Sequence, residues 1–145
     1  MKTDSHTNVL ELARVLLVDD DLTSRLTLQT VLEAGGYHVD AAASAAEAFG
    51  KLDEQEYELV LSDLRMESPE AGLKVLAHAR MMDYKPATAI VTTYQNQHNA
   101  KPEMKSRMLI KPEDLPGLLG KVANLISERA ARRVEREMRC AGSVS

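Results

Sequence analysis

Four short apolar runs punctuate the chain, at Val15 to Val18, Leu59 to Leu61, Ala89 to Val91 and Met108 to Ile110. Continuous runs of this length suit strands buried on both faces. Between them, apolar residues recur at helical spacing: Leu26, Leu28, Val31 and Leu32 ahead of Gly35-Gly36, then Ala45 to Leu52, then Leu73, Val75, Leu76, Ala79 and Met82. A fifth strand is predicted at Val39 to Ala42, after the glycine stop, and a last helix from about Pro112 past Met138. Repeated strand-helix units predict the α/β class, with a doubly wound parallel sheet and right-handed crossovers. Ligand sites in such sheets lie beyond the carboxyl ends of the strands, near the switch in strand order.

Composition narrows the picture. With 145 residues, 44% of them apolar, the chain holds one globular domain with a real core. Its 18 basic and 22 acidic residues give a net charge of −4, so no overall basic surface attracts nucleic acid or a membrane. Cys140 is the sole cysteine, which rules out an internal disulfide and a thiolate zinc site. The opening MKTDSHTNVLELA lacks the apolar core of a signal peptide, and no stretch approaches the ~18 apolar residues of a membrane span. A reducing, cytoplasmic location is expected.

The strand ends carry the chemistry. Asp19-Asp20-Asp21 follows VLLV, Ser62-Asp63 follows LVL, Thr92-Thr93 follows AIV and Lys111-Pro112 follows MLI. In a parallel sheet all four groups emerge on one edge. Two carboxylates roughly 6 Å apart repel by about 3 kcal/mol at an effective dielectric near 20, so a cation must compensate. Lys111 is one candidate. The other is a hard divalent ion, with magnesium favoured because it accepts a few carboxylates and water. Each group also has a plainer reading: Asp21 as a helix cap, Asp63 as a loop start, Thr92 as a β-branched strand residue, Lys111 as a solvated charge.

VLLVDDDLTSR, YELVLSDLRM, AIVTTY and MLIKP, in this order, resemble the receiver domain of two-component response regulators over about residues 14 to 128. The resemblance implies a flavodoxin-like fold with five strands in the order 2-1-3-4-5. It implies that Asp63 accepts a phosphoryl group from a sensor histidine kinase or phosphotransfer protein and later loses it to water. By the same resemblance, Asp20, Asp63 and the backbone carbonyl of Arg65 bind Mg2+, Asp19 acts through metal-bound water, and Thr92 and Lys111 contact the phosphoryl oxygens. Such a protein catalyses only its own phosphoryl transfer and dephosphorylation.

The chain also departs from the family. Met66 is followed by Glu67, with Pro69 displaced and Gly72 late, so a reshaped loop is expected beside Asp63. Arg65 and Tyr94 occupy variable positions that influence the lifetime of the phosphoryl group. Between Tyr94 and Lys111 the segment is short, polar and interrupted by Pro102, which costs about 3 kcal/mol inside a helix. Met108 stands where the family usually has Tyr or Phe. Alternatives are therefore a receiver-like binding module with impaired switching, or a magnesium-dependent phosphatase, which would need an acid where Arg65 stands. An FMN-binding flavodoxin is disfavoured because the turn after the first strand is acidic.

In the last helix, Leu115, Leu118, Leu119, Val122, Leu125 and Ile126 form one stripe, which then continues as Arg129, Arg133 and Arg136. The change predicts that the helix leaves the domain, dividing the chain into an extension 1–13, a receiver 14–128 and a helical tail 129–145. The new stripe of Ala131, Val134 and Met138 offers a contact to a second copy or to a downstream partner, with a solvated tail as the alternative. Glu128, Glu135 and Glu137 interrupt the basic run, which disfavours nucleic acid.

Overall fold

The computed structural model describes residues 13–63, 66, 68, 70–92, 108–110 and 115–144. The elements run β1 Arg14–Val18, α1 Leu22–Ala34, β2 His38–Ala42, α2 Ala45–Glu54, β3 Leu59–Asp63, α3 Ala71–Arg80, β4 Ala87–Thr92, β5 Met108–Ile110 and α4 Leu115–Val144. The strands pair in parallel in the order β2-β1-β3-β4-β5. The first four form the body of the sheet, while β5 is three residues long and meets β4 only at Ile90 to Thr92.

Period-two alternation splits the strand side chains between two cores. Val15, Leu17, Leu59, Leu61, Ala89 and Val91 pack with Leu28 and Leu32 of α1 and Leu118 and Val122 of α4. Leu16, Val18, Val60 and Ile90 pack with α2 and α3 through Ala48, Leu52, Val75, Leu76 and Ala79. Helices thus cover both faces, and the continuous apolar runs are explained. The stripe of α1 is narrower than its sequence suggests, because Leu26 is 52% exposed and only Leu28 and Leu32 are buried.

Local chemistry sets the boundaries. Asp21 caps α1 by accepting the Ser24 amide at 2.8 Å, and Ser44 caps α2 by accepting that of Glu47 at 3.1 Å. Gly36 turns the chain after α1 with φ of 101°, a conformation that only glycine adopts without cost. β3 and β4 extend beyond their apolar runs to Asp63 and Thr92, since ladder bonding continues through the polar ends.

The buried stripe of α4 continues as far as Arg129, one residue past the expected boundary, and residues 130–139 are exposed. Arg129 is 6% exposed, and its Nε and Nη2 donate to the carbonyls of Lys85 at 2.9 Å and Tyr84 at 2.6 Å. The core stripe ends in a guanidinium that reaches past the apolar edge to a loop. Further along, Val134 and Met138 are exposed. Among the described residues, no helix is long and apolar enough to cross a membrane.

Candidate functional site

Sheet register assembles the site. β1 ends at Val18, which pairs with Ser62, so Asp19 emerges level with Asp63 at the neighbouring strand end. Asp63 in turn pairs with Val91, which places Thr92 one residue further along β4. Asp19, Asp20 and Asp63 each offer a carboxylate oxygen, and these oxygens lie within 4.8 Å of one another. At that separation each pair of charges repels by at least about 3 kcal/mol at an effective dielectric near 20.

The three acids differ in exposure. Asp19 is 1% exposed, Asp63 is half-buried and Asp20 faces solvent. The Asp21 amide donates to Asp19 Oδ1 at 3.0 Å, and Arg25 Nη1 donates to the Asp19 carbonyl at 2.8 Å. The Asp19 amide donates to the Ala42 carbonyl at 3.0 Å, prolonging the β1–β2 ladder. Asp19 is therefore fixed before any ligand arrives, with a cation close to its backbone. Three carboxylates, one buried, one half-buried and one open to solvent at Asp20, make a donor set of the kind that a hard divalent cation takes. The residues present fit such an ion.

Beneath Asp63 the packing is tight. Ser62 is fully buried and its hydroxyl donates to the Asp63 carbonyl at 3.3 Å. Gly72, in the first turn of α3, lies so close that a Cβ there would collide with that same carbonyl oxygen. A survey of strand ends misses this proximity. Arg25 is a further residue that the strand ends do not single out, although its place four residues after the capping Asp21 is a usable signal. Leu22 and Leu26, 58% and 52% exposed, stand one turn apart on α1 beside the acidic cluster.

Of the predicted site residues, the fold brings Asp19, Asp20 and Asp63 together and sets Thr92 at the adjoining strand end. Lys111 and Arg65 lie outside the described residues, as do Glu67, Tyr94 and the segment with Pro102. Met108 opens β5.

Comparison with known proteins agrees with this geometry. The family model described as "Response regulator receiver domain" matches residues 15–123. The transcriptional regulatory protein ZraR of Escherichia coli is 33% identical over 107 residues, covering 72% of this chain and 24% of that protein. The alginate biosynthesis transcriptional regulatory protein AlgB of Pseudomonas aeruginosa is 35% identical over 102 residues, covering 68% and 22%. The chain thus spans about a quarter of the length of these curated relatives. Among solved structures, a receiver domain protein from Clostridium thermocellum superposes with a TM-score of 0.69 at 26% identity, covering 83% of this chain and 98% of that one. TrrA of Thermotoga maritima, solved in complex with Mg(2+)-BeF, gives 0.68 at 27% identity, covering 79% and 99%. With the family model, the fold and the acidic strand ends in agreement, the chain belongs to the response regulator receiver domain family.

Proposed function

We propose that the chain acts in two-component signalling as a phosphoacceptor, with Asp63 as the acceptor. The observation that carries this reading is the convergence of Asp19, Asp20 and Asp63 within 4.8 Å at the strand ends of a receiver domain. A carboxylate oxygen of Asp63 attacks the phosphorus of a phosphohistidine on a sensor kinase or phosphotransfer protein. The P–N bond breaks as the P–O bond forms, and water later cleaves the acyl phosphate and restores the carboxylate. The chain turns over no other substrate.

Asp20, Asp63 and the Arg65 carbonyl would hold Mg2+ directly, and Asp19 through water. The ion, when bound, neutralises charge on the phosphoryl oxygens. Asp19, pinned by the Asp21 amide, keeps the acidic pocket in shape. Gly72 and Ser62 fix the Asp63 backbone, so the nucleophile is aimed before the donor arrives. Thr92 offers a hydroxyl and Lys111 an ammonium to the phosphoryl group. Exposed Leu22 and Leu26 form an apolar step beside Asp20 against which a donor protein packs. Output passes by protein contact in the cytoplasm, and Val134 and Met138 are the contact for a second copy or another partner.

Beryllium fluoride with Mg2+ mimics the phosphorylated carboxylate and tests the reading by NMR. The expected result is a saturable shift of the amides around Asp63, Thr92 and Lys111 that EDTA reverses. An unchanged spectrum would refute it.

A further inference from the structure

The end of the sheet remote from Asp63 carries the opposite charge. Between the start of β4 and α4 lies a groove of about 630 Å³, within the range of small-molecule sites. Among the described residues, five cations line it, Arg80, Lys85, Arg129, Arg132 and Arg136, against the single carboxylate of Glu128. In register the groove begins opposite Leu59, four residues before Asp63 on β3, or about 13 Å along the strand.

Arg129 is the unusual member. It is 6% exposed, yet its partners are the carbonyls of Tyr84 and Lys85, and among the described residues it has no ion pair. Burial, with the like charges of Arg132 and Arg133, lowers its pKa, while Glu58 and Glu56 oppose this from further off. A buried guanidinium held by two carbonyls and set among other cations is only partly compensated by Glu58 and Glu56, and a bound anion would add to that. The loop is shaped to hold it there. Lys85 takes a φ of 44°, which costs a non-glycine residue about 1 kcal/mol, and its carbonyl accepts from Arg129.

The shape and charge choose among anions. Arginine forks match phosphate oxygens two at a time. Leu125 and Pro86 add apolar lining beside them, which suits a ligand with an uncharged part. A polyanion laid along α4 would meet Glu128, Glu135 and Glu137, whereas a compact one seated in the groove at Arg129 would meet Glu128 alone.

We propose that this groove binds a small organic polyphosphate of the nucleoside di- or triphosphate class, with its phosphates on Arg129, Arg132 and Arg136 and its uncharged part against Leu125 and Pro86. The site is separate from Asp63 and does not depend on the phosphoacceptor reading.

Titration of the 15N-labelled full chain with ADP in EDTA, which keeps metal from the acidic end, is the test. Expected are saturable one-to-one shifts at residues 85–88 and 125–136, competition by tripolyphosphate and none by adenosine. Arg132 and Arg136 are exposed, so R132Q/R136Q keeps the fold and should weaken ADP about a hundredfold, roughly tenfold for each charge-assisted hydrogen bond removed. Absence of saturation, equal binding by the double variant, or equal binding of adenosine would overturn the proposal. So would a short DNA duplex or an acidic peptide that displaces ADP and binds more tightly at the same salt, since the groove would then be a macromolecular docking surface.

Discussion

The two ends of the sheet are built on opposite plans. At the carboxyl end, three acids come from two strand ends, and the ladder between β1 and β3 fixes their spacing. At the other end, three arginines come from one helix, and among the described residues only Arg129 is tied down, by two loop carbonyls. The acidic cluster is held against its own repulsion by the fold. The basic one is mostly exposed side chains around a single buried charge. Sites built on strand register tolerate little movement, whereas a helix-borne rim can adapt to what it meets.

Substitutions can break this contrast. The largest effect is expected at Asp20. Asp20→Asn should slow phosphoryl uptake from a small phosphodonor by about a hundredfold or more, because metal-derived charge neutralisation supplies several kcal/mol. The same change should raise metal-free stability by about 1 kcal/mol or more, as two of the three repulsive pairs are relieved. Denaturant melts with and without Mg2+ check both signs, and the Mg2+-induced stabilisation should vanish. Gly72→Val should come next, costing about 3 kcal/mol because its side chain meets the Asp63 carbonyl, and weakening Mg2+ binding at the same time. Calorimetry reads both.

Arg129→Met should cost about 2 kcal/mol by leaving the Tyr84 and Lys85 carbonyls without a donor. Unlike Gly72→Val, it should leave Mg2+ affinity unchanged, since the two sites share no partner. A change in Mg2+ affinity would show that the ends are coupled. The smallest effect concerns alkaline pH. Burial, with Asp53 and Glu56 nearby, pushes the Tyr84 phenol up from 10.0 to about 12. The unfolded phenol therefore ionises first, and stability contributed below pH 10 is lost as pH rises towards 12. Tyr84→Phe should flatten part of that loss in melts across the same range, with Tyr57, also raised by burial, supplying another part.

How far the sequence can be read follows from the same contrast. Apolar runs and the polar residues that close them are visible because sheet register converts position along the chain directly into position in space. Asp19, Asp20 and Asp63 can thus be grouped before any coordinates. Gly72 cannot, since its role depends on the closeness of α3 to β3, which spacing does not encode. Arg129 misleads for a related reason. Helical periodicity says which face it occupies, but its burial depends on two carbonyls contributed by a turn some 44 residues away. Arg65 and Lys111 lie outside the described residues, so their predicted roles rest on the family pattern alone.

Mass spectrometry after incubation with a small phosphodonor and Mg2+ tests the central claim most directly. Wild type should gain one phosphoryl group in the peptide containing Asp63, labile to hydroxylamine as an acyl phosphate is, and Asp63→Asn should gain none. A label that persists in Asp63→Asn, or a wild-type protein that never acquires one, would contradict the account.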